Sequence, residues 1–400
     1  MEEETVIPHL FRCPISLDLF TDPVILSTGH TYDRSSIEKW LATGNLTCPV
    51  TMQKLDDPSM VPNHTLRHLI DQWIRKAPRV STDHYLKTLG SEFSLAGIKH
   101  SLESPEISLD AKLQILADIE ALSGELPSKN YCLIRLGLFS MLLDIVFGDH
   151  HPHYQEYMNF VEQVLVCVVN LLPYSDLGSL NILNKESKIA RFVILFDQES
   201  VIIRTCLCLL VEKISSSLYT RQLCIVLAQQ QSILQGIVQL LHDNSDASAA
   251  GIKSLSALCS LESNRENLVR TGAVHGLVNY ILGTYKHEIT LAPVAMKALE
   301  VLLRLESART DMVHHPNGIS ALVKMVFRVS DHEGSKSAIN SLMIICRDSI
   351  RAREEVISAG VLTQLLLLLQ SQCNERTKTK ARMLLKLLRT MWIEDSKQHY

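Results

Sequence analysis

The sequence predicts two folds in series. A small mixed α+β module occupies residues 1–76, a polar connector follows over 77–106, and an all-helical solenoid fills 107–400. Three observations carry this reading. The first segment is dense in Pro, Asp, Thr and Gly, with short apolar runs set between turn signals. Beyond Ile107 apolar residues recur at helical spacing almost to the last residue. Within that stretch one apolar template returns six times at intervals of 40 to 50 residues, as stacked repeats do.

Composition agrees and excludes several classes. With 400 residues and roughly 150 per domain, two to three domains are expected. The 46% apolar content is too high for a disordered chain. A formal net charge of −4 lacks the basic excess of general nucleic-acid or membrane-surface proteins, so neither partner is expected. Only 6% of residues are aromatic while leucines abound, which leans toward helices rather than a β-sandwich. No pair among the ten cysteines is spaced C-x-x-C, and most lie in apolar helical stretches; reduced core thiols are expected. The start, MEEETVIPHLF, is acidic and lacks the basic segment and apolar core of a signal peptide. No run reaches the ~18 to 20 apolar residues of a membrane span, since the best, Met158 to Leu172, is broken by Glu162, Gln163 and Asn170. A soluble, reducing, cytoplasmic location is expected, with the nucleus left open.

In the first segment Val24 to Leu26 reads as a short strand between turns at Asp22-Pro23 and Thr28-Gly29. Arg34 to Thr43 reads as a helix capped by Ser35 or Ser36. Its apolar stripe is Ile37, Trp40 and Leu41, and Gly44 stops it. A second helix is expected from His64 to Arg75, capped by Asn63, with Leu66, Leu69, Ile70 and Trp73 on one face. The repeat template is a small or polar residue followed by apolar positions two, five, six and nine residues later. It starts at Gly137, Ser187, Ser232, Gly272, Asn317 and Gly360. Several copies are followed by an alanine-containing helix, and short helices such as NRENLVRTG and RAREEVISAG precede some starts. A unit of this kind buries its apolar face only by stacking on neighbours. The period and the short third helix resemble armadillo repeats. Residues 107 to 122 form an early partial unit, and the helix from Arg376 closes the stack.

The first segment also carries punctuation where a zinc-binding RING finger has its ligands: Cys13-Pro-Ile-Ser16, Thr28-Gly29-His30, Tyr32-Asp33, Ser36 and Cys48-Pro-Val-Thr51. Two tetrahedral zinc sites need eight donors, and only Cys13, His30 and Cys48 are of ligand type, so no metal and no cofactor are expected. IPHLFRCPISLDLFTDPVILSTGHTYDRSSIEKWL, then TCPVT and VPNHTLRHLIDQW, closely resembles a U-box, the metal-free relative of the RING finger. A U-box before armadillo-type repeats resembles the plant U-box/armadillo ubiquitin ligases.

That resemblance implies a ligase with no nucleophile of its own, and so no catalytic residue on this chain. It binds a ubiquitin-conjugating enzyme carrying ubiquitin and holds the thioester while a substrate lysine attacks. The conjugating-enzyme groove of the family falls on Ile15 and Leu17 in the first loop, Trp40 on the helix and Pro49 in the second loop. Ile15 follows a Cys-Pro turn and Pro49 stiffens a loop, so both suit an apolar docking patch. Asp33, Arg34 and Asn63 are expected to brace the loops in place of metals. Many relatives place a basic residue after the second Cys-Pro loop to touch ubiquitin. Met52 stands there here, leaving Gln53 and Lys54 as the candidate ubiquitin contacts. Protein substrates are expected in the armadillo groove, and a homodimer is left open.

A second reading is a non-catalytic armadillo scaffold with a degenerate U-box. Other features read as structural. His150, His151 and His153 with Pro152 form a loop, as do His314 and His315. On the last helix Lys378, Arg382, Lys386 and Arg389 form a solvated basic stripe, with an acidic partner as the sharper option.

Overall fold

A computed structural model describes residues 8–17, 20, 22–43, 45–55, 57, 59–76, 95–104, 106–125, 130, 133–134, 137–148, 155–241, 246–283, 291–328 and 332–398. The chain forms two compact units, Met1–Val146 with Pro152–Ser175, and Phe147–His151 with Asp176–Tyr400.

The N-terminal module is built on a three-stranded antiparallel sheet in the order β2-β1-β3: β1 (Pro23–Ile25), β2 (Thr31–Asp33) and β3 (Val61–Pro62). Val24 lies opposite both Tyr32 and Pro62. The β1–β2 turn closes with Leu26 N–H donating to the His30 carbonyl at 3.0 Å, and Gly29 takes a φ of 78°, which a side chain disfavours. The first strand begins one residue before the expected Val24. Its two partners are too short to show a period-2 pattern. Helix α1 (Arg34–Ala42) leaves β2 directly, so its N-cap is Asp33 and not Ser35 or Ser36. No side chain caps it, because the Asp33 carboxylate accepts from Asp22 N–H instead, at 3.1 Å.

Helix α2 (His64–Lys76) is capped as expected: Asn63 Oδ1 accepts from Leu66 N–H at 3.0 Å. Leu66, Ile70 and Trp73 pack inward, but Leu69 is exposed. It sits one residue round the helix from Ile70, beyond the narrow stripe that this small sheet covers. Two apolar clusters result. One joins Val24, Leu26, Tyr32, Ile37, Cys48 and Leu55. The other joins Cys13, Phe20 and Ile70, with Phe11 edge-on to Trp73 and Tyr174 packed against it.

The connector contains a helix, α3 (Leu95–Glu103), where the sequence reading has none, and residues 77–94 lie outside the described residues. The early partial unit is α4 (Leu109–Glu125), packed on α6 (Gln155–Leu171), with α5 (Leu138–Phe147) between them in sequence. His150, His151 and His153 lie outside the described residues. Helices α7 (Glu186–Phe196) and α8 (Val201–Ser216) begin the second unit. Four three-helix repeats follow. They are α9 (Arg221–Leu227), α10 (Gln231–Leu240) and α11 (Asp246–Leu258); α12 (Glu262–Arg270), α13 (Ala273–Gly283) and α14 (Ala292–Leu302); α15 (Glu306–His314), α16 (Gly318–Met325) and α17 (His332–Asp348); and α18 (Ile350–Ser358), α19 (Val361–Gln370) and α20 (Glu375–Gln398).

The second helices α7, α10, α13, α16 and α19 stack in series, and so do the third helices α8, α11, α14, α17 and α20. The apolar template is the buried face of the second helices: Leu234, Ile237, Val238 and Leu241 in one repeat, Val274, Leu277, Val278 and Ile281 in the next. The small residue at its start is explained at Gly272 and Gly360, which turn the chain from short helix to long helix at φ 86° and 85°. Across the third helices Asn340 donates to Glu300 at 3.0 Å and accepts from Lys380 at 2.8 Å, tying three repeats. His314 hydrogen-bonds the Thr310 carbonyl, and the buried His315 ring accepts from Asn317 N–H. Among the described residues no single helix is long and apolar enough to cross a membrane.

Candidate functional site

Two short loops of the N-terminal module are copies of one turn. Cys13-Pro-Ile-Ser-Leu17 closes with Leu17 N–H donating to the Cys13 carbonyl, and Cys48-Pro-Val-Thr-Met52 closes with Met52 N–H donating to the Cys48 carbonyl, both at 2.8 Å. The fifth residue of each is in the left-handed region, Leu17 at φ 62° and Met52 at φ 57°. A left-handed conformation is unfavourable for a bulky residue, so both turns are held by their surroundings. The effect is to turn a large apolar side chain outward: Leu17 is 68% and Met52 64% exposed. Val50 is exposed beside them, while Ile15, its counterpart in the first turn, is half-buried against both apolar clusters.

The two cysteines anchor these turns from inside. Cys13 Sγ accepts from Ile15 N–H at 3.4 Å and from Asp33 N–H at 3.3 Å. Cys48 Sγ lies 2.9 Å from the Tyr32 hydroxyl, which in turn accepts from Val50 N–H at 3.2 Å. Burial pushes the Cys48 thiol up, but the hydroxyls of Thr28, Thr51 and Tyr32 and the Thr51 backbone outweigh it and lower the thiol to about 6. Burial and the bond to Cys48 raise Tyr32 in the opposite direction, which keeps its proton on the phenol. Among the described residues no three His, Cys, Asp or Glu side chains converge in a group able to hold a metal ion.

Trp40 connects helix to second loop: its indole N–H donates to the Thr47 carbonyl at 2.9 Å while the half-buried side chain packs on the Cys48 cluster. Pro49 is half-buried in the same loop. Gln53 and Lys54 are exposed at its exit, where Cys48 N–H donates to the Gln53 carbonyl and Lys54 bridges Thr47. Leu17 and Met52 thus belong to matched turns, Pro49 lies within the second of them, and Trp40 stands on its flank.

The expected braces each span two segments. Asp33 is buried and holds the backbone of Asp22. Arg34 Nε donates to Asp22 Oδ2 at 2.6 Å, and this bond raises the guanidinium further. Asn63 Nδ2 donates to Thr31 Oγ1 at 3.1 Å, so the cap of α2 also grips β2. Sequence reasoning missed Asp22 and Arg67, whose 3.4 Å pair closes a second cation on the Asp22 carboxylate. It also missed Met52 as an exposed apolar tip. The signal for that was present, since Cys-Pro-Ile-Ser-Leu and Cys-Pro-Val-Thr-Met are one motif written twice.

Comparison with known proteins gives two family matches on this chain. The U-box domain matches residues 7–78, and the plant U-box protein ARM repeat region matches residues 98–398. The chain is similar to U-box domain-containing protein 26 of Arabidopsis thaliana, 32% identical over 98% of this chain and 94% of that one. It is also similar to E3 ubiquitin-protein ligase PUB23 of Arabidopsis thaliana, 29% identical over 98% of this chain and 95% of that protein. Among solved structures an engineered protein matches with a TM-score of 0.50 at 13% identity, over 82% of this chain and 85% of that one.

Proposed function

The chain belongs to the plant U-box proteins with an armadillo repeat region, and from that membership we propose that it is a ubiquitin-protein ligase. In this reading the matched turns, Leu17 with Ile15 on one side and Pro49 with Met52 on the other, form the floor on which a ubiquitin-charged conjugating enzyme seats. Trp40 braces the second turn from the helix. The chain supplies no nucleophile. It orders the thioester for attack by a substrate lysine, so its contribution is positioning rather than covalent chemistry. Gln53 and Lys54, next to the second turn, are the groups that reach ubiquitin. The armadillo repeats recruit the protein to be modified.

The observation that carries the proposal is the pair of left-handed turns, each turning an apolar side chain outward. An exposed apolar pair on strained, well-anchored turns is costly to maintain and is what a docking partner covers. Similarity to a relative named as an E3 ubiquitin-protein ligase supports the same activity.

The test is a reconstituted autoubiquitination assay with a panel of conjugating enzymes. Leu17→Ala is expected to abolish ligation at unchanged thermal stability, because the side chain makes little internal contact. Ile15→Ala is expected to abolish it with a stability loss of about 1 kcal/mol or more, because Ile15 is half-buried. A second reading is favoured by Met52 standing where many relatives have a cation: a scaffold that binds conjugating enzymes without promoting transfer. Wild-type protein that binds the panel but ligates with none of it would establish that reading. Restored or increased ligation in Met52→Arg would show the missing cation to be the cause.

A further inference from the structure

Inside the solenoid each second helix is covered on one side by the helix before it and on the other by the helix after it. On α10 the side facing onward is Val238 and Leu241. These press on Gly276 of α13 so closely that a Cβ there would lie 2.9 Å from a Leu241 methyl. Val238 stands six residues after its template start. That position is buried at Leu143, Val238, Val278 and Val323 and half-buried at Val193. In the last repeat it is Leu366, which is 55% exposed, with Leu362 and Leu369 half-buried around it. The helices packed on α19 are α16 before it and α18 and α20 of its own repeat, and among the described residues none stacks on the onward side. On the neighbouring helix α20, Met383 is exposed, with Lys386 one turn along the same side of that helix.

Helix α20, which packs on α19, is strongly basic over its first four turns, with Lys380 turned toward Asn340 of α17. From Glu375 to Arg389 the cations are Arg376, Lys378, Lys380, Arg382, Lys386 and Arg389, against the single acid Glu375. Glu375 already pairs with Lys378 at 3.6 Å and Arg382 at 3.7 Å. Helix α19 carries no charge at all. A second copy laid on this face would bring two cationic helices together, whereas an acidic partner is attracted.

We propose that the apolar side of α19 formed by Leu362, Leu366 and Leu369, with the basic helix α20 beside it, is a docking surface for an acidic amphipathic helix of a partner protein. The helix stacks there as a following repeat would, with a small residue at the closest approach, the role Gly276 plays inside the chain. The surface lies outside the N-terminal module, so its fate is independent of the ligase reading.

The test uses the full chain and a fluorescein-labelled peptide of about 18 residues, roughly five helical turns. Its leucines are spaced i, i+3, i+4, i+7 about a central alanine, with glutamate at the remaining positions; a control peptide has lysine for glutamate. Fluorescence polarisation is expected to show saturable binding of the acidic peptide and none of the lysine peptide. Leu366→Glu is expected to weaken binding at least tenfold, and Lys386→Glu several-fold with a flatter salt dependence. Leu366 is exposed, so circular dichroism of its variant is expected to match wild type; Lys386→Glu tests the same surface without touching an apolar group. Failure of the acidic peptide to bind wild type, or equal binding by Leu366→Glu, overturns the proposal. So does a wild-type dimer in sedimentation that Leu366→Glu disperses, which would assign the face to a second copy of the chain.

Discussion

Cys48 is buried, a setting that ordinarily holds a thiol protonated, yet the hydroxyls facing it bring its pKa to about 6 from an ordinary value near 9. A group with a depressed pKa in the folded state contributes stability that is complete above its unfolded value and is lost as pH falls through the folded one. The thermal stability of wild type, measured against Cys48→Ser, is therefore expected to rise between pH 6 and pH 9 and to be flat below pH 6. Serine keeps a hydroxyl for Tyr32 but does not titrate in this range. Parallel curves for the two proteins would show that Cys48 stays a thiol throughout. At this scale the sequence named Asp33, Arg34 and Asn63 as internal braces, and each makes a hydrogen bond that joins separate segments. Asp22 and Arg67 were illegible because their contact spans 45 residues and nothing local marks either one. Leu17 and Met52 differ in kind. Their exposure depends on a positive φ that composition does not encode, though the doubled motif around them does.

Helices of the solenoid were legible because their spacing repeats, and a repeated pattern averages away local ambiguity. In the inner repeats the template even distinguishes positions within a helix, since its apolar sites there are buried, as at Leu234, Ile237, Val238 and Leu241. Strands β2 and β3 were not legible, because two or three residues cannot establish an alternation. Helix α3 was missed because its flanks are polar and only Ile98 and Leu102 of its described residues are buried. The close stack of second helices gives a prediction at this scale. Gly276 meets Leu241 and Val238 with no room for a branched side chain. Gly276→Val is expected to destabilise by about 1–3 kcal/mol through overpacking, although valine is well accommodated in many buried helices. Chemical denaturation would measure the loss. A neutral or stabilising result would mean that the repeats slide apart at little cost and that the stack is looser than its geometry.

In the molecule as a whole, two different kinds of cohesion operate. The N-terminal module folds around contacts distant in sequence, such as Thr31 with Asn63 and Asp22 with Arg67. The solenoid is held by neighbour-to-neighbour burial, so its stability is close to a sum of repeat and interface contributions. The compact units do not follow the change in composition at residue 76: the first extends to Ser175, and Tyr174 packs on the apolar cluster of Cys13, Phe20 and Ile70. A one-dimensional stack makes a specific claim about how damage spreads. Leu277 is fully buried in the second of the four three-helix repeats, and Leu277→Ala is expected to cost about 2–5 kcal/mol. In native-state hydrogen exchange that cost should appear in α10, α13, α14 and α16, which contact one another directly, and fade toward α19. Amides of Arg34–Ala42 are expected to keep their wild-type rate. Equal acceleration at every amide would instead identify the chain as one cooperative unit. The repeat period would then describe its ancestry and geometry but not the way it unfolds.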